Sequence, residues 1–273
     1  MLEIKIPKGT TATIYAPYNC TNNCPFCVNK REYESKSFNM DAILESIILL
    51  SNIDDTRDFV VTGGEPLADL NSLQKILDTI YNLNQSGATH KVFINTTLPI
   101  LEGAKTIIDF LNKNKNKITG INVSRHLKPY ISHYMKKEDL YKINLPIRIN
   151  CVLYQDDIEG LADYLEEFKD FNIQFRQDYN FVTKENLFNF DSVLFKAVKE
   201  IIKTKIGKEL IVNSKNNFRW NASVDCDNGT FISFHRTLPY SSEIINDTKI
   251  IGDLIIDTDG TVYDDWNEYG KPL

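Results

Sequence analysis

The chain has 273 residues, 42% of them hydrophobic, and a formal net charge of -6. That is long and apolar enough to bury a sizeable core, which excludes a disordered chain. The acidic balance argues against a protein whose affinity rests on nucleic-acid phosphates, so nucleic acid is not an expected partner.

The opening MLEIKIPKGTTATIYAP has no continuous apolar stretch of the signal-peptide kind, and runs such as Ile47-Ile48-Leu49-Leu50 are too short to span a bilayer. The expectation is a cytoplasmic protein with no membrane partner. Of five cysteines, three crowd into eight residues, which fits a metal site in a reducing compartment better than a disulfide framework.

In chain order, the β-rich run Thr11 to Tyr18 reads as the first strand. A helix follows over Met40 to Leu50, with Ile43, Leu44, Ile47 and Ile48 on one face. Asp58 to Thr62 is the second strand. Leu73, Ile76, Leu77, Ile80 and Leu83 recur at helical spacing behind a cap at Asp69 or Asn71. Lys91 to Thr96 is the third strand, followed by a helix to Leu111 and a solvated basic turn over 112–117. Ile118 to Ser124 and Ile147 to Tyr154 are the fourth and fifth strands. Ile158, Leu161, Tyr164, Leu165 and Phe168 mark another helix, and Ile173 to Gln177 the sixth strand.

Alternating strands and helices specify an α/β fold with a parallel sheet, and six units suggest a partial (β/α)6 TIM-like barrel over residues 1–204. From 205 to 273 short strands are punctuated by Asp-Asn-Gly at 227–229 and Asp-Gly at 259–260, both hairpin signals, so a small β-rich C-terminal extension is expected to cap the barrel.

Cys20-x3-Cys24-x2-Cys27 lies directly after the first strand, in a loop holding Asn19, Asn22, Asn23 and Pro25. Five cysteines placed at random would give about 0.002 such triplets, so the spacing is not accidental. Three thiolates can hold three irons of a cubane and leave the fourth open, as a catalytic metal site requires. The rival reading is structural zinc, with a distant fourth ligand from Cys151, Cys226 or a histidine. Such sites are usually two close pairs, and no second pair is present.

CTNNCPFC resembles the CxxxCxxC signature of the radical S-adenosylmethionine (SAM) superfamily, including Phe26 before the last cysteine. Gly63-Gly64-Glu65-Pro66 after the second strand resembles its GGEP motif, in which backbone and carboxylate groups bind the amino group of S-adenosylmethionine. Adjacent glycines admit close backbone approach, and a carboxylate suits an ammonium group. The resemblance covers residues 11 to 180. It implies one [4Fe-4S] cluster on Cys20, Cys24 and Cys27, with S-adenosylmethionine held by Phe26, Gly63, Gly64, Glu65, Ser124 and Asn150. Asn150 is similar to a ribose-contacting position of the molybdenum-cofactor-biosynthesis branch. Asn95-Thr96-Thr97 departs from the Thr-Asn-Gly that many members carry, and no contact is assigned there. Cys151 and Cys226 are too few for an auxiliary cluster.

The implied reaction is reductive cleavage of S-adenosylmethionine to a 5'-deoxyadenosyl radical, which abstracts hydrogen from a peptide or small-metabolite substrate. A flavodoxin or ferredoxin is the implied electron donor. His126, past the fourth strand, is a candidate substrate contact, and Cys226 a candidate hydrogen donor. The alternatives are an activase that generates a glycyl radical on a partner enzyme, and a non-catalytic metal-binding protein.

Overall fold

The computed structural model describes residues 3–15, 20, 22, 24–27, 38–100, 103–266 and 270–273. The last residues of the expected first strand, and Asn19 and Asn23 of the cysteine loop, lie outside them. In chain order the elements are β1 (Glu3–Lys5), β2 (Thr11–Tyr15), α1 (Met40–Ile53), β3 (Asp58–Thr62), α2 (Leu70–Gln85), β4 (Lys91–Thr96), α3 (Ala104–Lys113), β5 (Gly120–Ser124) and α4 (Lys137–Leu140). There follow β6 (Ile147–Leu153), α5 (Leu161–Glu167), β7 (Asn172–Gln177), α6 (Val193–Ile206), β8 (Ile211–Lys215), β9 (Arg219–Asp225) and β10 (Phe231–Thr237). The chain ends with β11 (Ser242–Ile245), β12 (Thr248–Ile251), β13 (Asp253–Ile256) and β14 (Val262–Tyr263).

Two compact units result, one of residues 1–122, 131–146 and 240–273, the other of residues 123–130 and 147–239. The β-rich run beyond 205 therefore contributes β8 to β10 to the second unit and β11 to β14 to the first.

In the first unit the strand order β14-β13-β2-β3-β4 is parallel from β13 to β4. β1, β12 and β11 form a separate small sheet. α1 starts where the Asn39 side chain accepts the Ala42 N–H at 3.2 Å, and it buries Ile43, Ile47 and Leu50. Ile48, expected on that face, is 41% exposed because the buried stripe is narrower than the apolar run. α2 is capped by Asp69, whose carboxylate accepts from Asn71 and Ser72 N–H, and it buries Leu73, Ile76, Leu77 and Ile80. The β13–β14 turn needs glycine twice over at Gly260. Its φ is +86°, and a Cβ there would lie 2.5 Å from that of Ala42 in α1.

One buried ion pair ties the start of β2 to the loop after α1. Asp54 accepts from Gly9 N–H at 2.7 Å and from Thr56 N–H and Oγ1 at 3.0 and 2.8 Å, with the Arg57 guanidinium 3.9 Å away. Arg57, fully buried, donates to the Thr10 carbonyl at 2.5 Å. Burial opposes the Asp54 charge, but these donors and the Arg57 charge outweigh it and hold the carboxyl down to about 2.

In the second unit the order is β6-β7-β10-β9-β8, with β6, β7 and β10 parallel and β9 antiparallel to β10. Alternation along each strand sorts side chains to two faces. Phe175, Phe234 and Trp220 share the apolar face. Tyr164 of α5 lies 5.7 Å from Phe175, and Phe195 of α6 lies 5.0 Å from Trp220 and 5.1 Å from Phe234, ring centre to ring centre. Trp220 is satisfied by donating Nε1–H to the Leu187 carbonyl at 2.5 Å.

The low pKa of Asp54 sets a pH dependence. A carboxyl held near 2 in the folded chain against an ordinary value near 3.9 contributes stability present above about pH 4 and lost as pH falls towards 2. Asp54→Asn is expected to lose about 2 kcal/mol at neutral pH and to flatten the acid limb of stability, read by urea denaturation at stepped pH.

Candidate active site

All three motif cysteines belong to the first unit, are half-buried and take part in no disulfide. The Cys27 N–H donates to the Cys24 carbonyl at 3.1 Å, a tight turn that sets Phe26, 9% exposed, between the two thiols in sequence. Burial pushes the Cys20 thiol up. A hydrogen bond from the Asn22 backbone opposes the shift, while the negative charges of Glu65 and Cys27 add to it. The loop thus stands within electrostatic reach of Glu65.

Gly63 leaves β3 at φ +115°, a conformation open to glycine, and this turn brings Glu65 back under the end of β4. The Glu65 side chain is 2% exposed, and its two oxygens accept four hydrogen bonds. Oε1 takes Leu67 N–H at 3.2 Å and the Thr96 hydroxyl at 2.5 Å. Oε2 takes the N–H and the hydroxyl of Thr97, both at 2.7 Å. Thr96 Oγ1 in turn accepts Leu98 N–H at 2.8 Å, so its proton points at the carboxylate. Leu98 follows at φ +50°, a conformation costly for a branched side chain and held here by that bond and by Met135 N–H on its carbonyl.

Asn22 of the cysteine loop closes the network. Its Nδ2 reaches Thr97 Oγ1 at 3.4 Å, and its Oδ1 accepts Ser132 N–H at 3.0 Å. Burial raises the Glu65 pKa against the pull of these donors, all of which are neutral.

The sequence expected Glu65 as a direct ligand for an ammonium group. The structure shows a carboxylate with about four lone-pair sites already engaged, so its local role is to fix the ends of β3 and β4 and, through Thr97, the cysteine loop. Thr96 and Thr97 were not assigned because their motif departs from the family pattern. The signal that finds them is chemical: two adjacent hydroxyls at a strand end, beside a buried carboxylate that needs donors.

The other expected site residues lie in the second unit. Ser124 ends β5, and the next residue, Arg125, donates its N–H to the Asn150 carbonyl at 2.9 Å. Asn150 Oδ1 is buried with no hydrogen-bond partner, an acceptor suited to a ligand hydroxyl. His126 Nδ1 accepts Val152 N–H at 3.1 Å, and burial with the Arg125 charge holds its pKa down to about 3. It is neutral at physiological pH, and with Nδ1 accepting from Val152 its one proton sits on Nε2, so the ring anchors the β6 backbone through Nδ1.

Cys226 sits in the β9–β10 turn, its N–H on the Thr230 carbonyl at 2.8 Å. That is the N-terminal end of β10, opposite the strand ends where chemistry was expected, which removes the basis for a hydrogen-donor role. Cys151 is buried on β6, its thiol pushed up to about 12 by burial.

The donor set fits an iron–sulfur cubane. Its three thiols could each take one iron of such a cluster. Among the described residues no group of three or more His, Cys, Asp or Glu side chains is placed to hold a metal ion. Among the described residues no helix is long and apolar enough to cross a membrane.

Residues 14–126 match the model of the Radical SAM superfamily. An uncharacterized protein of Methanocaldococcus jannaschii is 27% identical over 164 residues, 57% of this chain and 56% of that protein, so the chain spans about half the length of the curated relative it matches. Native anSMEcpe with bound AdoMet and Kp18Cys peptide is similar at a TM-score of 0.58 and 17% identity, over 94% of this chain and 74% of that one. SuiB of Streptococcus suis is similar at a TM-score of 0.53 and 14% identity, over 93% of this chain and 60% of that one. At these identities the likeness shows fold, the α/β class with parallel strands expected from the sequence.

Glu65→Gln is expected to destabilise the chain by about 1–3 kcal/mol, because the new amide must aim N–H at Leu67 or Thr97 N–H, donors that cannot turn away. Urea denaturation of the two proteins measures this. Thr97→Ser, which keeps the hydroxyl, is expected to stay close to wild type.

Proposed function

The chain carries a radical SAM domain over residues 14–126, and from that premise we propose that it is an enzyme that holds one [4Fe-4S] cluster on Cys20, Cys24 and Cys27 and uses it to cleave S-adenosylmethionine reductively. The observation that supports the reading is the tie between the cysteine loop and the Glu65 network, made by Asn22 Nδ2 on Thr97 Oγ1 at 3.4 Å, with Cys20 feeling the Glu65 charge. The cluster and S-adenosylmethionine together would supply a radical able to abstract hydrogen from an unreactive C–H bond.

The residues of this chain bind and orient. Gly63 and Gly64 present backbone to the amino group of the cofactor, next to the negative potential of Glu65. Phe26, 9% exposed and next to Cys27 in sequence, would line the cofactor beside the cluster. Ser124 offers a hydroxyl, and the open Asn150 Oδ1 accepts from a ribose hydroxyl. The substrate class is a peptide, a reading supported by the peptide that anSMEcpe binds. A flavodoxin or ferredoxin in the cytoplasm serves as electron donor in this proposal.

Anaerobic reconstitution with iron and sulfide, reduction and addition of S-adenosylmethionine are expected to yield 5'-deoxyadenosine from wild type, and at least about a hundredfold less from Cys24→Ala, which leaves an iron without its thiolate. A protein that takes up zinc in place of iron and sulfide, or a fully reconstituted cluster with no 5'-deoxyadenosine, would overturn the reading.

A further inference from the structure

The second unit's sheet has a second face, on which only Asn150 has been given a role above. Registers place Arg148, Gln174, Arg176 and His235 on it, since Asn150 pairs with Gln174, Val152 with Arg176, and Arg176 with His235. Arg219 of β9 joins the same face through Thr237 of β10. This is the face opposite Phe175, Phe234 and Trp220, so α5 and α6 do not cover it.

Two features mark it as a recognition surface. First, Gln174 is 1% exposed, yet neither its amide oxygen nor its amide nitrogen has a hydrogen-bond partner, and Arg148 Nε beside it has none. Buried polar groups are nearly always paired, so an amide open at both ends calls for an occupant with a donor and an acceptor of its own. Second, the face concentrates positive charge in a chain whose net charge is -6. Burial and the charge of Arg176 bring Arg148 down to about 10. Burial, with the charges of Arg176, Arg148 and Arg219, holds His235 down to about 2 and so neutral.

We propose that this face binds an acidic segment of the peptide substrate, with Gln174 pairing to one backbone amide and Arg176, assisted by Arg148, taking a Glu or Asp carboxylate. The inference rests on the peptide reading above and names its chemistry. A peptide group matches Gln174 at both ends, donor to acceptor and acceptor to donor. A phosphate ester brings charge but only acceptors, and would leave Gln174 Oε1 without a donor. A guanidinium fork suits a carboxylate in geometry as well as charge.

The test uses the reconstituted full chain with S-adenosylmethionine and two blocked heptapeptide pools, randomised except for a central Glu in one and a central Gln in the other. Equilibrium dialysis is expected to show about tenfold preference for the Glu pool, the size of one charge-assisted hydrogen bond. Arg176→Gln is expected to abolish the preference, Arg176→Lys to keep part of it, and Gln174→Leu to weaken both pools about equally. Arg176 is exposed, so its variants keep the fold. Circular dichroism checks this.

Equal retention of the pools, a preference that survives Arg176→Gln, or binding of inorganic phosphate with neither pool retained would overturn the proposal. Release of 5'-deoxyadenosine from the same wild-type preparation separates the two readings. If it is formed while the pools are not distinguished, the docking face fails and the radical reading stands. If none is formed while the preference holds, the reverse applies.

Discussion

The first unit depends on a single buried carboxylate. Glu65 sits at the exit of β3 and receives four donors, three from Thr96 and Thr97 at the end of β4 and one from Leu67 N–H, and the Thr97 hydroxyl also meets Asn22 of the cysteine loop. Leaving any of those donors buried and unpaired would be costly. The carboxylate therefore couples three segments distant in sequence: the cysteine loop, the Gly-Gly turn and the end of β4. A positively charged ligand beside this network would meet a negative potential already desolvated by the fold, without needing a free lone pair on Glu65 itself.

The second unit follows a different rule. Its strands carry one apolar face, with Phe175 and Trp220, that α5 and α6 seal with Tyr164 and Phe195, and one polar face that holds Arg148, Gln174 and Arg176. A sheet covered on both sides by core would read as continuous apolar strands. Here alternation is preserved, as in Arg148-Ile149-Asn150-Cys151, and Arg148, Asn150 and Gln174 are half-buried or buried while Arg176 is exposed. Desolvated polar groups with open hydrogen bonds destabilise a fold unless they are used.

Much of this was legible in the sequence. β3 and β4 fall where alternation put them, and the Asp69 cap and the Leu73-Ile76-Leu77-Ile80 stripe follow from propensity and period. Local signals of that kind are written in adjacent residues. α6 was not foreseen, although Ser192 caps it by accepting Phe195 N–H and Leu194, Phe195, Val198 and Ile202 mark its buried face. β1 was also missed. Its three residues are all exposed and find their partner in β12 more than two hundred residues away, a pairing no local window contains.

Site residues divide along the same line. The cysteine triplet and the Gly-Gly-Glu-Pro turn are compact motifs, readable without a structure. Thr96, Thr97 and Asn22 act only through a carboxylate elsewhere in the chain, so their role appears once the strands are side by side. Gln174 is the extreme case: in sequence it is one polar residue inside Ile-Gln-Phe-Arg, indistinguishable from a solvent-facing strand position. Only its burial, with both amide atoms unpaired, separates it from the ordinary alternation of a half-exposed sheet. His126 and Cys226 show what else burial and turns add: a backbone donor on His126 Nδ1 and a hairpin around Cys226 give each a structural place that the sequence does not display.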